Sequence, residues 1–143
     1  MSVAEQIRDD AREAMKAGDR QRSSALRMIQ DVLQQDAKLG KGDEIAVLQR
    51  ERKKRLEAAE AYSEAGRSDQ AESESFEAEL IAGYLPAQLS DDELSAMVAE
   101  AIEATGAEGP KQMGQVMGAL KEKVAGRADG KRVSTEVKEQ LAP

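Results

Sequence analysis

The side chains able to do chemistry in this 143-residue sequence are few in kind. It has no His, no Cys and no Trp. That removes the imidazole base, the thiolate nucleophile, the iron–sulfur cluster and the His- or Cys-built zinc site together. Carboxylates, lysines and two tyrosines remain for acid–base work. Asp9-Asp10 and Asp91-Asp92-Glu93 fall in first turns or on polar faces, where helix dipoles and water account for them. A Ser-x-x-Lys pair is not met at Ser24, because the residue three positions on is Arg27, which cannot lose its proton to act as a base. The sequence predicts no catalytic residue, no metal site and no cofactor for this chain alone.

Three motifs are left for binding. Gly126-Arg-Ala-Asp-Gly130-Lys131 is one residue short of a phosphate-binding loop between its glycines. It also has Arg132 where such a loop needs Ser or Thr, and it follows a helix instead of a strand. It reads as a glycine turn. Exposed amides beyond it, flanked by Arg127, Lys131 and Arg132, are a weaker candidate for one external phosphate. Gly114 and Gly118 sit in a helical segment with Lys121 and Ala125, forming a low-profile strip a little over a quarter-turn from the apolar stripe Met113, Val116, Met117, Leu120 and Val124. Each glycine costs about 1 kcal/mol relative to alanine, so a close backbone approach should offset it. General packing grounds favour a neighbouring helix; the functional alternative is an RNA sugar–phosphate strand beside Lys121. Arg50-Glu-Arg-Lys-Lys-Arg55 is the one dense basic run, spread around most of the helix. Within it Glu51 and Arg55 share the apolar side, in the favourable i, i+4 order. They predict a structural pair fixing helix register, with a small polar site as the alternative.

The elements that would position these residues are all helical. Ser2-Val-Ala-Glu5 is a capping box, followed by Val3, Ile7, Ala11, Ala14 and Met15 at helical spacing and a stop at Gly18. Asp19 caps a second helix with Leu26, Ile29, Val32 and Leu33 on one stripe, fading at Leu39-Gly-Lys-Gly42. A third runs from Asp43 to about Ala65 and stops at Gly66; a fourth starts after Ser68 and carries Leu80, Ile81, Tyr84 and Leu85 into Pro86. Past a short seam, Pro86-Ala-Gln-Leu89, a second capping box at Ser90–Glu93 opens a helix with Leu94, Met97, Val98, Ala101 and Ile102. Pro110 is placed for the first turn of the next helix, and the last begins between Asp129 and Ser134 with Val133, Val137 and Leu141. No segment alternates like a strand. The expected fold is all-α: an N-terminal helical domain over 1–86 of about four helices, then a three-helix bundle over 90–143.

Twenty-one Lys and Arg stand against 28 Asp and Glu, for a net charge of −7. Residues 1–89 hold 14 cations and 18 carboxylates, and residues 90–143 hold 7 and 10, so neither half is basic. That argues against a large nonspecific nucleic-acid surface, and no DNA partner is expected. No apolar run approaches the roughly 20 residues of a membrane span. The first ten residues lack the apolar core of a signal peptide. A cytoplasmic protein without a membrane partner is the expectation.

Together, Arg27-Met-Ile, Arg50-Glu-Arg-Lys-Lys-Arg55, Ala65-Gly-Arg67, Tyr84-Leu-Pro-Ala-Gln-Leu-Ser90, Met113-Gly-Gln-Val-Met-Gly-Ala-Leu120 and Gly126-Arg-Ala-Asp-Gly-Lys131 resemble the YqeY family over essentially the whole chain. Residues from about 90 onward also resemble the tail domain of the B subunit of the tRNA-dependent amidotransferase. The resemblance implies a helical module that helps to recognise the body of a tRNA, the amide-forming chemistry lying in other domains. By motif it places Gly114, Gly118, Lys121 and the loop from Arg127 to Lys131 on tail-domain elements. The expected function is therefore an accessory binder of tRNA or another structured RNA, through Gly114, Gly118, Lys121, Arg127, Lys131 and Arg132. The alternatives are a non-catalytic protein–protein adaptor docking on a larger assembly, or an auxiliary part of a carbon–nitrogen ligase with glutamine as amido-N-donor.

Overall fold

The computed structural model describes residues 2–40 and 43–143. Among the described residues there are seven α-helices, one 3-10 turn and no strand. The helices are α1 (Val3–Lys16), α2 (Arg20–Lys38), α3 (Glu44–Glu64), α4 (Ser68–Ala82), α5 (Asp91–Thr105), α6 (Met113–Val124) and α7 (Gly130–Leu141). The fold is all-α, and none of these helices is long and apolar enough to cross a membrane. The chain divides into two compact units, Met1–Leu85 and Pro86–Pro143.

The first unit is two helical hairpins. Gly18 and Gly66 take φ of 78° and 75°, a region where glycine carries no Cβ penalty. At each, the following amide reaches back to close the preceding helix: Asp19 N–H to the Ala14 carbonyl at 2.9 Å, Arg67 N–H to the Tyr62 carbonyl at 2.8 Å. This is the double closure of a Schellman end. The same residues then begin the next helix. Asp19 accepts from the Arg22 amide with its carboxylate; Arg67 has no acceptor to offer, so α4 starts without a side-chain cap. The helix therefore begins at Ser68 itself rather than after it. Gly40 supplies the turn after α2 with φ of 76°, whereas Gly42 lies outside the described residues.

Ile7, Leu26, Ile29, Leu33, Val47, Leu48 and Ile81 form the core of this unit, with Val3, Val32, Leu80, Tyr84 and Leu85 packed against it. Met15, expected on the apolar stripe of α1, is 50% exposed. The buried line of α1 ends at Ala14, and the Met15 sulfur instead accepts from Arg27 Nη2 at 3.4 Å. Two polar contacts tie distant segments. Glu44 Oε2 accepts the Ala4 amide at 2.7 Å, placing a carboxylate at the positive end of α1. The Tyr84 hydroxyl donates to Asp10 Oδ2, fixing the end of α4 against α1.

The second unit is a three-helix bundle around Leu89, Leu94, Val98, Val116, Leu120, Val133, Val137 and Leu141. Both capping boxes are formed, at Ser2–Glu5 and Ser90–Glu93. Pro110 opens a separate 3-10 turn, Pro110–Gln112, and α6 starts at Met113 rather than at the proline. The seam residues belong to this unit. The Leu89 amide donates to the Arg127 carbonyl at 2.9 Å, and Gln88 Nε2 donates to the Gly126 carbonyl at 2.8 Å.

Burial, then the bond to Asp10, raises the Tyr84 phenol above its usual value of 10.0. A raised folded-state pKa means that the stabilisation is complete below the unfolded value and is lost as pH rises past it. Tyr84→Phe should therefore lower stability at neutral pH by about 1 kcal/mol. Urea denaturation at stepped pH should show that deficit narrowing above pH 10, and a constant deficit would contradict the assignment.

Candidate nucleic-acid interface

Helix α6 turns Val116, Leu120 and Val124 into the bundle core. Met113 and Met117 are half-buried beside them. At 100° per residue, Gly114, Gly118, Lys121 and Ala125 fall together on another face, and all four are exposed. A Cβ built on Gly114 or on Gly118 meets nothing within 4 Å. The favoured explanation from sequence, close packing of a neighbouring helix, is thereby overturned. Neither glycine has a positive φ, unlike Gly18, Gly66, Gly106 and Gly126, so no turn requires them. Two glycines weaken α6 by about 1 kcal/mol each, and nothing within the described residues offsets that.

The α6–α7 turn is engaged internally. Arg127 Nε donates to the Ala87 carbonyl at 3.2 Å, and its own carbonyl receives the Leu89 amide. Arg132 Nη2 lies 2.8 Å from Asp91 Oδ1, joining α7 to the start of α5. The structure therefore separates the predicted residues. Gly114, Gly118 and Lys121 share one open face, and Lys131 is exposed in the first turn of α7. Arg127 and Arg132, predicted as ligand contacts, spend hydrogen bonds on holding the seam and α5. Asp129 precedes α7 without a side-chain capping bond. Around Ser90 the electrostatics are local: its amide, then its hydroxyl, hold the exposed Glu93 carboxyl below the usual range.

Charge is segregated within this unit. Helix α5 carries five carboxylates and no cation, whereas residues 110–143 hold seven cations and four carboxylates. Summing over 90–143 hides this division. A sliding count along the sequence reveals it.

Glu51 and Arg55 form the predicted pair and are both buried. Arg55 Nη1 donates to the Glu51 carbonyl at 3.0 Å and lies 3.6 Å from Glu51 Oε1. Its Nε donates to Glu77 Oε2 of α4 at 3.0 Å. Glu77 was not foreseen, being 22 positions away on a different helix. One guanidinium thus bridges the two arms of the α3–α4 hairpin, which supports the structural reading. Burial, then the neighbouring Glu77, raises the Glu74 carboxyl, with Arg55 opposing both. Among the described residues no group of three or more His, Cys, Asp or Glu is placed to hold a metal ion.

Gly118→Ala and Gly114→Ala should each stabilise the second unit by about 1 kcal/mol, measured by urea denaturation. A loss would mean that the added methyl is not tolerated. Arg55→Met should cost about 3 kcal/mol, since it leaves the half-buried Glu77 without its cation. It also takes from the buried Glu51 one of its two cations, the other being Lys54. Adding Glu51→Leu and Glu77→Leu should recover most of that loss, because an apolar replacement of the whole cluster strands neither carboxylate.

No curated protein matches the sequence. A family model described as Yqey-like protein matches residues 4–141. With nearly every helix inside that match, the chain belongs to the YqeY family.

Proposed function

We propose that the C-terminal unit binds tRNA or another structured RNA in the cytoplasm, as an accessory module and not as a catalyst. A sugar–phosphate strand lies along Gly114 and Gly118, with Lys121 on a phosphate. The observation that carries this reading is the open space beside both glycines. Side-chain-free positions that no internal neighbour uses let a foreign backbone approach the helix closely. Lys121 on the same face, and the surplus of cations over residues 110–143, supply the charge that phosphate contacts need. Recognition of structured RNA by shape and backbone requires few stacking aromatics, in keeping with three in the chain. The likeness of residues 90 onward to the amidotransferase tail domain points the same way. Lys131 adds a second exposed cation, while Arg127 and Arg132 act by positioning the turn that carries it.

Binding of total tRNA is measured by filter retention for the wild type and for Gly114→Leu joined to Gly118→Leu. Because the strip is open, the double variant should keep its helical content and unfold no more easily. Its affinity should fall by about tenfold or more, a loss of about 1.4 kcal/mol. Lys121→Ala should weaken binding and reduce the slope of log K against log salt by about one. Equal tRNA affinity in the folded double variant would reject the strip as a contact surface. Binding that ignores salt would reject the phosphate reading in favour of an apolar dock.

A further inference from the structure

The outer half of the α3–α4 hairpin has no core to serve. Beyond Arg55 the buried positions of α3 reduce to Ala59, and α4 buries nothing before Ala78. Between the two helices an open groove of about 490 Å³ remains. Ala59, Ala71 and the Phe76 ring supply apolar surface to it, and the charged side chains lining it are Glu60, Glu72 and Glu79. No cation lines it. Leu56 lies one turn before Ala59 and Glu60 on the same side of α3 and is 42% exposed, which lengthens the apolar strip. The charge is concentrated here. Residues 56–79 contain eight carboxylates and one cation, a net −7 equal to that of the whole chain.

A bare apolar groove would take any apolar ligand, but this one has a rim of a single sign. We infer that the outer α3–α4 hairpin docks a basic amphipathic helix of a partner protein, its apolar stripe in the groove and its Lys or Arg side chains on Glu60, Glu72 and Glu79. Small side chains at Ala59, Ala71 and Ser75 leave room for i, i+4 anchors of such a helix, the usual mode of helix-in-groove recognition. The rim carboxylates select a cationic partner and repel an acidic one. Polyanionic RNA is excluded from this surface for the same reason, so the inference is independent of the RNA reading of the second unit.

The test uses the full chain and a fluorescein-labelled Leu/Lys peptide of roughly 18 residues, long enough to form a helix, with its leucines on one stripe. The control peptide has the same composition with the leucines dispersed. Fluorescence anisotropy at physiological salt should show the striped peptide bound at least about tenfold more tightly than the control. Ser75→Trp, which fills the groove without altering charge, should abolish that preference. Glu72→Lys joined to Glu79→Lys, both at exposed positions, should weaken the striped peptide by about tenfold while helical content and thermal unfolding stay the same. Equal binding of the two peptides would overturn the inference, as would undiminished binding to the charge-reversed variant.

Discussion

The α3–α4 hairpin extends beyond the apolar core from which it grows, and Arg55 sits where that core gives out. With three aromatic residues in the whole sequence, the first unit must close on aliphatic side chains, and these end at Val47 and Leu48 on α3 and Ile81 on α4. About two turns further out on α3, the Arg55 guanidinium takes over, held by the Glu51 carbonyl and carboxylate on its own helix and by Glu77 across the hairpin. Burying such a group away from water is expensive unless each donor is met, so the cluster dictates register more than it adds stability. Slipping α4 by one residue would move Glu77 off the guanidinium, leaving that half-buried carboxylate without its cation and the Arg55 Nε without its acceptor. The hairpin beyond Arg55, including the groove beside Phe76, is held by this bridge at one end and by the Gly66 turn at the other.

The glycines separate into two classes with different physical reasons. Gly18, Gly66 and Gly106 hold positive φ at helix ends, where any other residue would be strained. Gly114 and Gly118 lie within α6 and have open space where a side chain would stand. A helix that gives up roughly 2 kcal/mol of propensity without gaining an internal contact departs from the usual agreement between local preference and fold. Such departures concentrate at sites kept for use. This is why the strip on α6 carries more functional weight than the turn before α7. Glycine at Gly126 has an ordinary conformational cause with its φ of 73°, and the arginines nearby are bonded to the protein itself.

Features set by neighbours in sequence were legible before the structure. The capping boxes at Ser2 and Ser90, the caps at Asp19 and Asp43 and the stops at Gly18 and Gly66 are decided within a few residues, and each stands where the pattern puts it. Apolar spacing located the cores because α2, α5, α6 and α7 each bury one face. It misjudged Met15, one step past the last buried residue of α1, because spacing says which side a residue is on and not how far the neighbouring helix reaches. Pairings across the chain were illegible for a related reason. Arg55 with Glu77, Arg132 with Asp91 and Arg127 with the Ala87 carbonyl join residues 22, 41 and 40 positions apart, and many carboxylates or carbonyls were equal candidates. Whether Gly114 and Gly118 face a helix or open space depends on where α5 and α7 lie against α6, which no periodicity within α6 encodes.

Net charge misleads here, and the distances over which charges act explain why. Counted in segments, the chain runs +3 over 1–55, −7 over 56–79, −6 over 80–109 and +3 over 110–143. At physiological ionic strength a surface charge is screened beyond about 8 Å, so an approaching molecule responds to the segment before it and not to the sum. A chain total of −7 is thus compatible with a phosphate-binding face on α6, where Glu122 stands against Lys121 and Lys123 and the five carboxylates of α5 stand on another helix. The same screening keeps the hairpin acidic to a partner meeting it directly, whatever cations the remaining helices carry. Segregation has a structural origin as well: α4 and α5 hold no cation of their own, so their carboxylates draw on cations of other elements, Glu77 on Arg55 of α3, Asp91 on Arg132 of α7 and Glu93 on Arg127. Arg55 and Arg132 each hold one carboxylate across helices, Glu93 is held by the Ser90 cap, and exposed carboxylates such as Glu72 and Glu79 face water.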